Sequence, residues 1–189
     1  MKKTLIASAL LAASVLAQAE TAKYQIEPTH TFVTYEIQHF GTSTNRGRFD
    51  KKEGTVTLDT KAKTGSVDLK IDMRAINTGV AKMDEHLQSA DIFDTAKFGE
   101  ARFVGNKFQF KGDKLVAVTG ELTLMGKTAP LTLKASHFNC YDSPIIKKQV
   151  CGGDFTAQMD RTQWGVNYGI DWGFPKKVNL VIQVEAVRQ

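Results

Sequence analysis

Apolar and polar residues alternate along most of this chain, and this alternation constrains its fold more than any other feature of the sequence. In "GSVDLKIDMR", residues 65–74, polar residues separate Val67, Leu69, Ile71 and Met73. Successive side chains of a β-strand point to opposite faces. The pattern therefore predicts a strand with one buried and one solvated face.

Eight segments with this period are predicted to be strands: 31–39, 46–59, 64–73, 100–109, 113–125, 128–139, 153–160 and 177–187. Short joins, including turns at Gly112 and Gly126, predict antiparallel neighbours. Within two segments the apolar residues shift from odd-numbered to even-numbered positions. Such a shift requires an extra residue and predicts β-bulges near Gly54 and Gly105. With almost no helix to cover the apolar face, the sequence predicts an all-β fold, an eight-stranded antiparallel β-barrel.

One segment, residues 79–98, has helical spacing instead. Met83 and Leu87 stand four residues apart, which predicts a short amphipathic helix, and a second helical turn is predicted from Ser89. We expect this segment to cap one end of the barrel.

The N-terminal residues 1–19 combine two lysines, an apolar run and a small-residue end, "AQA". These features predict a secretory signal peptide, with a single domain over residues 20–189. We expect export to a bacterial periplasm, with release from the cell as the alternative. Removal of Lys2 and Lys3 with the signal peptide would lower the formal net charge from +5 to +3. So small a net charge does not favour a polyanionic partner.

The two cysteines, Cys140 and Cys151, both lie in the predicted exported part. Oxidising compartments preserve disulfides, so this even count at short separation predicts one local disulfide. A metal pair or a redox dithiol is disfavoured, because the spacing is not CxxC and no histidine is adjacent.

The predicted inner faces of the strands mix large apolar residues with small ones such as Ala101 and Gly120. An eight-stranded barrel is either just filled by side chains or holds one small ligand. Small residues among large ones favour an elongated apolar tunnel. The alternative is a solidly packed barrel whose small residues fit the taper.

Four stretches, in order, then carry a resemblance to a known family: "IEPTHTFVTYEIQHFGTSTNRGRF", "HLQSADIFDTAKFGEARF", "VTGELTLMGKTAPLTL" and "MDRTQWGVNYG" followed by "KKVNLVIQVEA". Together they resemble the YceI family of polyisoprenoid-binding, lipocalin-like secreted proteins. The resemblance implies a lipocalin-like barrel whose cavity holds a long isoprenoid chain, such as a polyprenyl phosphate or the tail of a ubiquinone-type quinone. Its pattern falls on His30, His39, Gly41, Gly47, Phe49, Asp91, Phe93, Arg161 and Gly165, and the chain departs from it at Asn45 and Met125.

On this basis we expect a set of inward-facing residues to contact the lipid: Val33, Tyr35, Ile37, His39, Phe49, Leu69, Ile71, Phe93, Phe103, Phe108, Gly120, Leu122, Leu133, Met159, Trp164 and Ile182. A buried polar head group needs polar partners. His39, Arg46 and Arg48, at the corner after the first strand, are the predicted head-group contacts. The alternative is that His39 bonds loop backbone and that the arginines are solvated.

Catalysis is not expected, because the chain lacks GxSxG, HExxH and P-loop motifs and its four histidines are scattered. No catalytic cofactor or metal is predicted. The sequence has no basic stripe interleaved with aromatic residues, so nucleic-acid binding is not predicted. Lysine pairs at 147–148 and 176–177 are interpreted as solvated turns, with weak, transient attraction to a membrane surface as the alternative. The sequence thus predicts non-catalytic binding, transport or storage of an isoprenoid lipid, and the alternative is a stress-related interaction protein with a packed barrel.

Overall fold

A computed structural model describes residues 21–189. The predicted signal peptide, residues 1–19, lies outside the described residues. Within them the chain forms one α-helix, α1 (Ala81–Gln88), and eleven strand segments. The strands are β1 (Ala22–Ile26), β2 (Phe32–His39), β3 (Ser43–Phe49), β4 (Lys52–Asp59), β5 (Thr64–Asp72), β6 (Ile76–Asn77), β7 (Glu100–Lys111), β8 (Lys114–Leu124), β9 (Lys127–Asp142), β10 (Gln149–Asp160) and β11 (Lys177–Arg188).

The strands form one closed antiparallel barrel. Their order is β1-β4-β5-β7-β8-β9-β10-β11, and β11 closes the ring by pairing with β1. The same β11 also pairs with β2, and β3 pairs with β2. The segments β1 and β2 therefore lie end to end beside β11, and β4 and β3 lie end to end beside them. The predicted eight-stranded antiparallel barrel is confirmed.

Most strand boundaries differ from the prediction by a few residues, and two differences are larger. The first strand segment, β1, was not predicted, although its burial alternates through Ala22, Tyr24 and Ile26. Five residues next to a predicted signal peptide carry too little periodicity to stand out. The predicted strand 46–59 is interrupted at Asp50 and Lys51, between β3 and β4.

One predicted bulge is confirmed and the other is wrong. Gly105 pairs with Gly120 and Lys107 with Thr119, so Asn106 is the extra residue. At Gly54, however, β4 pairs with β5 without any register shift. The apolar residues change from odd to even positions at the break between β3 and β4, where the chain is not in a strand.

The helical segment is shorter than predicted. Helix α1 ends at Gln88, and the N–H of Ser89 donates to His86 O, so Ser89 terminates the helix instead of starting a second one. Asp84 accepts hydrogen bonds from the N–H and hydroxyl of Thr78, at 2.7 and 2.6 Å, which ties α1 to the segment that follows β6. No helix of residues 21–189 is long and apolar enough to cross a membrane.

The predicted disulfide is present. Cys140 on β9 and Cys151 on β10 face each other in the ladder and are bonded. The bridge fixes the base of the hairpin that joins the two strands.

Candidate functional site

The barrel is not solidly packed. A cavity of about 630 Å³ occupies the end over which α1 lies, and Val80, Met83 and Leu87 from the helical segment form part of its wall. Pockets that bind small molecules have volumes of about 300–1,000 Å³. We call this cavity the large chamber. It contradicts the alternative of a solidly packed barrel.

A second cavity of about 120 Å³, the small chamber, adjoins the first. The two share four lining residues, Val33, Ile71, Leu122 and Leu180, which form a waist between them. Among the described residues, Tyr24 and Thr31 alone bring side-chain oxygens to the small chamber. The barrel interior is therefore a two-part space that becomes more apolar away from α1.

Most of the residues predicted to contact a ligand line one chamber or both. Those in the large chamber are Val33, Tyr35, Ile37, His39, Phe49, Ile71, Phe93, Leu122 and Met159. Those in the small chamber are Leu69, Phe103, Phe108, Leu133 and Ile182, with Val33, Ile71 and Leu122 at the waist. Fourteen of the sixteen residues thus line one connected space, thirteen of them through the period-two parity of strands and Phe93 from the segment that follows α1.

Gly120 and Trp164 line neither chamber. A Cβ on Gly120 would lie 2.6 Å from Gly105 Cα and still closer to Val104 O, so Gly120 allows close approach of two backbones at the bulge. Trp164 is only 1% exposed, and its Nε1–H donates to Leu122 O at 2.8 Å. Both residues support the barrel wall instead of facing the cavity.

Only two of the three predicted head-group contacts lie at the cavity. His39 and Arg46 line the large chamber, whereas Arg48 lies outside both chambers. Arg48 is half-exposed and forms an ion pair with Asp50 at 2.7 Å. Arg46 is also exposed and donates to Glu36 at 2.7 Å.

His39 belongs to an aromatic group at the mouth of the large chamber. Its ring contacts Phe40 and Phe174 edge-on, with centroids 5.0 and 5.7 Å apart. The corner's hydrogen bonds use the His39 carbonyl, which accepts from the N–H and hydroxyl of Thr42. Within the described chain, the β2–β3 turn is therefore held by the backbone carbonyl of His39 and not by its ring.

A second aromatic group faces the same chamber, and sequence reasoning missed it. Tyr168 contacts His86 at 5.0 Å and Trp172 at 5.3 Å between ring centroids. The stretch "NYGIDWGF", residues 167–174, carried the signal: its aromatic residues are separated by Gly169 and Gly173, which adopt positive φ angles of 76° and 86°. These glycines allow a tightly folded loop that presents rings to the mouth.

Four large apolar side chains on the rim are exposed to solvent. They are Phe40 at 52%, Val80 at 58%, Met83 at 40% and Trp172 at 66% exposure, and all four line the large chamber. They come from the β2–β3 turn, from α1 with its N-cap, and from the loop before β11. The mouth is thus surrounded by an apolar rim.

Arg161 is a buried cation in the wall of the large chamber that sequence reasoning noted only through the family pattern. It is 6% exposed, and it donates from Nε to Pro175 O and from Nη1 to Val166 O, both at 2.9 Å. Burial lowers the pKa of this guanidinium below its ordinary value, although Asp160 opposes the shift. Arginine nevertheless remains charged at neutral pH.

Arginines are the fully charged side chains described in the lining of the large chamber. Its lining includes Arg46, Arg161, His39 and His86 but, among the described residues, no aspartate or glutamate. Burial raises the pKa of Tyr35 to about 12, with a smaller contribution from Asp84, so this phenol stays protonated and can donate a hydrogen bond. Across residues 21–189, no cluster of three or more histidine, cysteine or acidic side chains could hold a metal ion.

Comparison with known proteins identifies the family. Residues 24–186 match the family model described as a YceI-like domain. The chain belongs to the YceI family. A YceI family relative, Protein YceI of Escherichia coli O157:H7, is 35% identical over 194 residues, and the alignment covers 100% of both chains.

Solved structures share the YceI fold at lower identity. The crystal structure of Burkholderia cenocepacia BcnA matches with a TM-score of 0.70 and 20% identity, over 85% of this chain and 98% of that one. A polyisoprenoid binding domain from Saccharophagus degradans, implicated in plant cell wall breakdown, matches with a TM-score of 0.62 and 16% identity, over 90% of this chain and 100% of that one. These likenesses show that the two solved structures have the same barrel fold as this chain.

Proposed function

We propose that this protein binds a long-chain isoprenoid lipid without chemical change and carries or stores it. The two-part cavity is the observation that carries the proposal, because its size and its mostly apolar wall with a few polar groups are typical of a ligand pocket. Family membership supports the proposal, as does the description of the Saccharophagus degradans domain, which shares the fold, as polyisoprenoid-binding.

The lipid tail would enter through the large chamber and pass the waist into the small chamber. The small chamber is lined almost wholly by apolar side chains, which suit an isoprenoid chain and no polar head. Each buried methylene contributes about 0.8 kcal/mol. Affinity should therefore rise with tail length until the small chamber is full.

The head group would remain in the large chamber, where the polar side chains lie. A lining with guanidinium, imidazole and phenol groups, and without described carboxylates, suits an electron-rich or anionic head. An isoprenoid quinone of the ubiquinone type and a polyprenyl phosphate both meet this requirement. His39 and Arg46 are the proposed head-group contacts that the sequence also predicted.

Loading from a membrane would use the apolar rim. Phe40, Val80, Met83 and Trp172 surround the opening and are exposed. Tryptophan favours the membrane–water interface, where one part of its ring is apolar and another polar. A periplasmic location, inferred from the N-terminal sequence, would place this rim within reach of membrane lipids.

The direct test is titration of delipidated protein with a ubiquinone and with geranylgeranyl phosphate. The proposal predicts saturable binding of one lipid per chain for at least one of them. Binding of neither lipid, under conditions where the barrel remains folded by circular dichroism, would contradict it.

A further inference from the structure

The guanidinium of Arg161 has one nitrogen that no group of residues 21–189 satisfies. Nε and Nη1 donate to the carbonyls of Pro175 and Val166, but Nη2 is buried and has no hydrogen-bond acceptor among the described residues. Buried donors are nearly always satisfied in native proteins, and an unsatisfied charged one is especially costly. This nitrogen therefore needs an acceptor that the described chain does not supply.

Among residues 21–189, no buried carboxylate pairs with Arg161. Its sequence neighbour Asp160 accepts from the N–H and hydroxyl of Thr162, at 3.0 and 2.6 Å, and so caps the turn that begins at Arg161. The large chamber, which Arg161 lines, presents no described acidic side chain. The missing acceptor is thus best supplied from the chamber.

Phe174 separates Arg161 from the mouth. Its ring lies over the guanidinium, with Arg161 Cζ 5.6 Å from the ring centroid. The same ring contacts His39 at 5.7 Å and Phe40 at 5.3 Å on the exposed rim. Gly173, the preceding residue, has a φ of 86°, and no atom lies within 4 Å of the position that a Cβ there would occupy, so the space beside the backbone next to Phe174 is open.

We propose that Arg161 Nη2 binds the head-group oxygen of the isoprenoid ligand once the ring of Phe174 moves aside. The inference rests on the proposed function and adds the anchor that selects a headed lipid over a bare hydrocarbon. The acceptor is an oxygen of a quinone carbonyl or of a phosphate, since both accept a charge-assisted hydrogen bond. A purely structural role, in which Arg161 only ties Val166 and Pro175 together, predicts no dependence on the head group.

The test compares three ligands with the same isoprenoid skeleton: geranylgeranyl phosphate, a ubiquinone with a geranylgeranyl tail, and phytane, which has no head group. Affinities are measured for wild type, for Arg161→Met and for Arg48→Met. The control removes an arginine that lies outside both chambers. A hydrogen bond to a charged group is worth a change of about tenfold or more in affinity.

We expect Arg161→Met to weaken binding of one or both headed lipids by about tenfold or more and to leave phytane unchanged, with no effect of Arg48→Met. Loss for the quinone alone would identify a carbonyl acceptor, and loss for the phosphate alone a phosphate acceptor. Equal weakening of all three ligands, or no change for any headed lipid, would overturn the inference while leaving lipid binding intact. Failure of all three to bind wild type would instead overturn the proposed function.

Arg161→Met loses both backbone contacts and could misfold, so a second measurement uses the wild-type chain. With ¹⁵N-labelled arginine, the Nη resonances of Arg161 should shift when a headed lipid binds and not when phytane binds. Identical spectra with headed lipid and phytane would count against the anchor. Phe174→Ala should accelerate association of headed lipids, and unchanged association would contradict the covering role of that ring.

Discussion

Blocking the waist should shorten the tail that the protein can hold. Leu180 lines both chambers and is only partly buried, so a larger side chain there can extend into the cavity. We expect Leu180→Trp to close the passage between the chambers without unfolding the barrel. Long-tailed lipids would then lose the small chamber, whereas short-tailed ones would still fit in the large chamber.

The size of the effect follows from the volume that becomes inaccessible. The small chamber measures about 120 Å³, and at about 30 Å³ for a group the size of a water or methylene it holds roughly four such groups. At about 0.8 kcal/mol for each buried methylene, their loss costs about 3 kcal/mol. This corresponds to about a hundredfold rise in the dissociation constant of a long-tailed lipid.

The assay is a series of ubiquinones with increasing numbers of isoprene units, titrated into wild type and Leu180→Trp. Val181→Trp is the matched control, because Val181 is the next residue on β11 and is 44% exposed on the outer face. In wild type and control, affinity should rise with tail length. In Leu180→Trp it should stop rising once the large chamber is full.

An equal loss for short and long tails would show that the tryptophan disturbs the large chamber instead of the passage. An unchanged dependence on tail length would refute the assignment of the small chamber to the tail. Thermal unfolding of each variant checks that the barrel is intact in either case.

Three further predictions concern stability. Gly120→Ala should lower the free energy of unfolding by about 1–3 kcal/mol, because the new Cβ meets the Val104 carbonyl and backbone must move; urea unfolding at wild-type stability would contradict this. Replacing both Cys140 and Cys151 with alanine should cost about 3 kcal/mol through the loop that the disulfide closes, and an unchanged urea midpoint would refute it. Burial raises the pKa of Glu27, but the hydrogen bonds from Thr29 and His30 together outweigh burial and lower the pKa to about 2. The stabilisation is therefore complete above the unfolded pKa of about 4.3 and is lost as pH falls towards 2. Unfolding of Glu27→Gln should accordingly depend less on pH in this window, and parallel pH profiles would contradict that assignment.

The barrel could be predicted from the sequence because the alternation of burial is a local property. Val67, Leu69 and Ile71 define the inner face of β5 without reference to any other strand. The parity shift at Gly105 also identified a real bulge. The same signal near Gly54 was placed wrongly, since a parity change records an interruption but not whether the chain bulges or leaves the ladder at Asp50.

The cavity wall was partly predictable for the same reason, and its failures have physical causes. Parity assigned Gly120 to the inner face correctly, but it could not reveal that the neighbouring backbone fills the space. Arg46 and Arg48 share one face of β3 and each forms an ion pair, so parity could not show that only Arg46 lines the large chamber. The mouth loop at residues 167–174 has no period, so its aromatic contacts depend on tertiary packing.

The central claim, that the barrel holds an isoprenoid lipid, is tested most directly by native mass spectrometry of the mature protein purified from an exporting bacterial host. Solvent extraction then releases any bound molecule for identification. We expect one prenylated lipid per chain, whose removal leaves a folded protein that takes up added ubiquinone or geranylgeranyl phosphate. A protein that is empty as isolated and takes up neither lipid would contradict it.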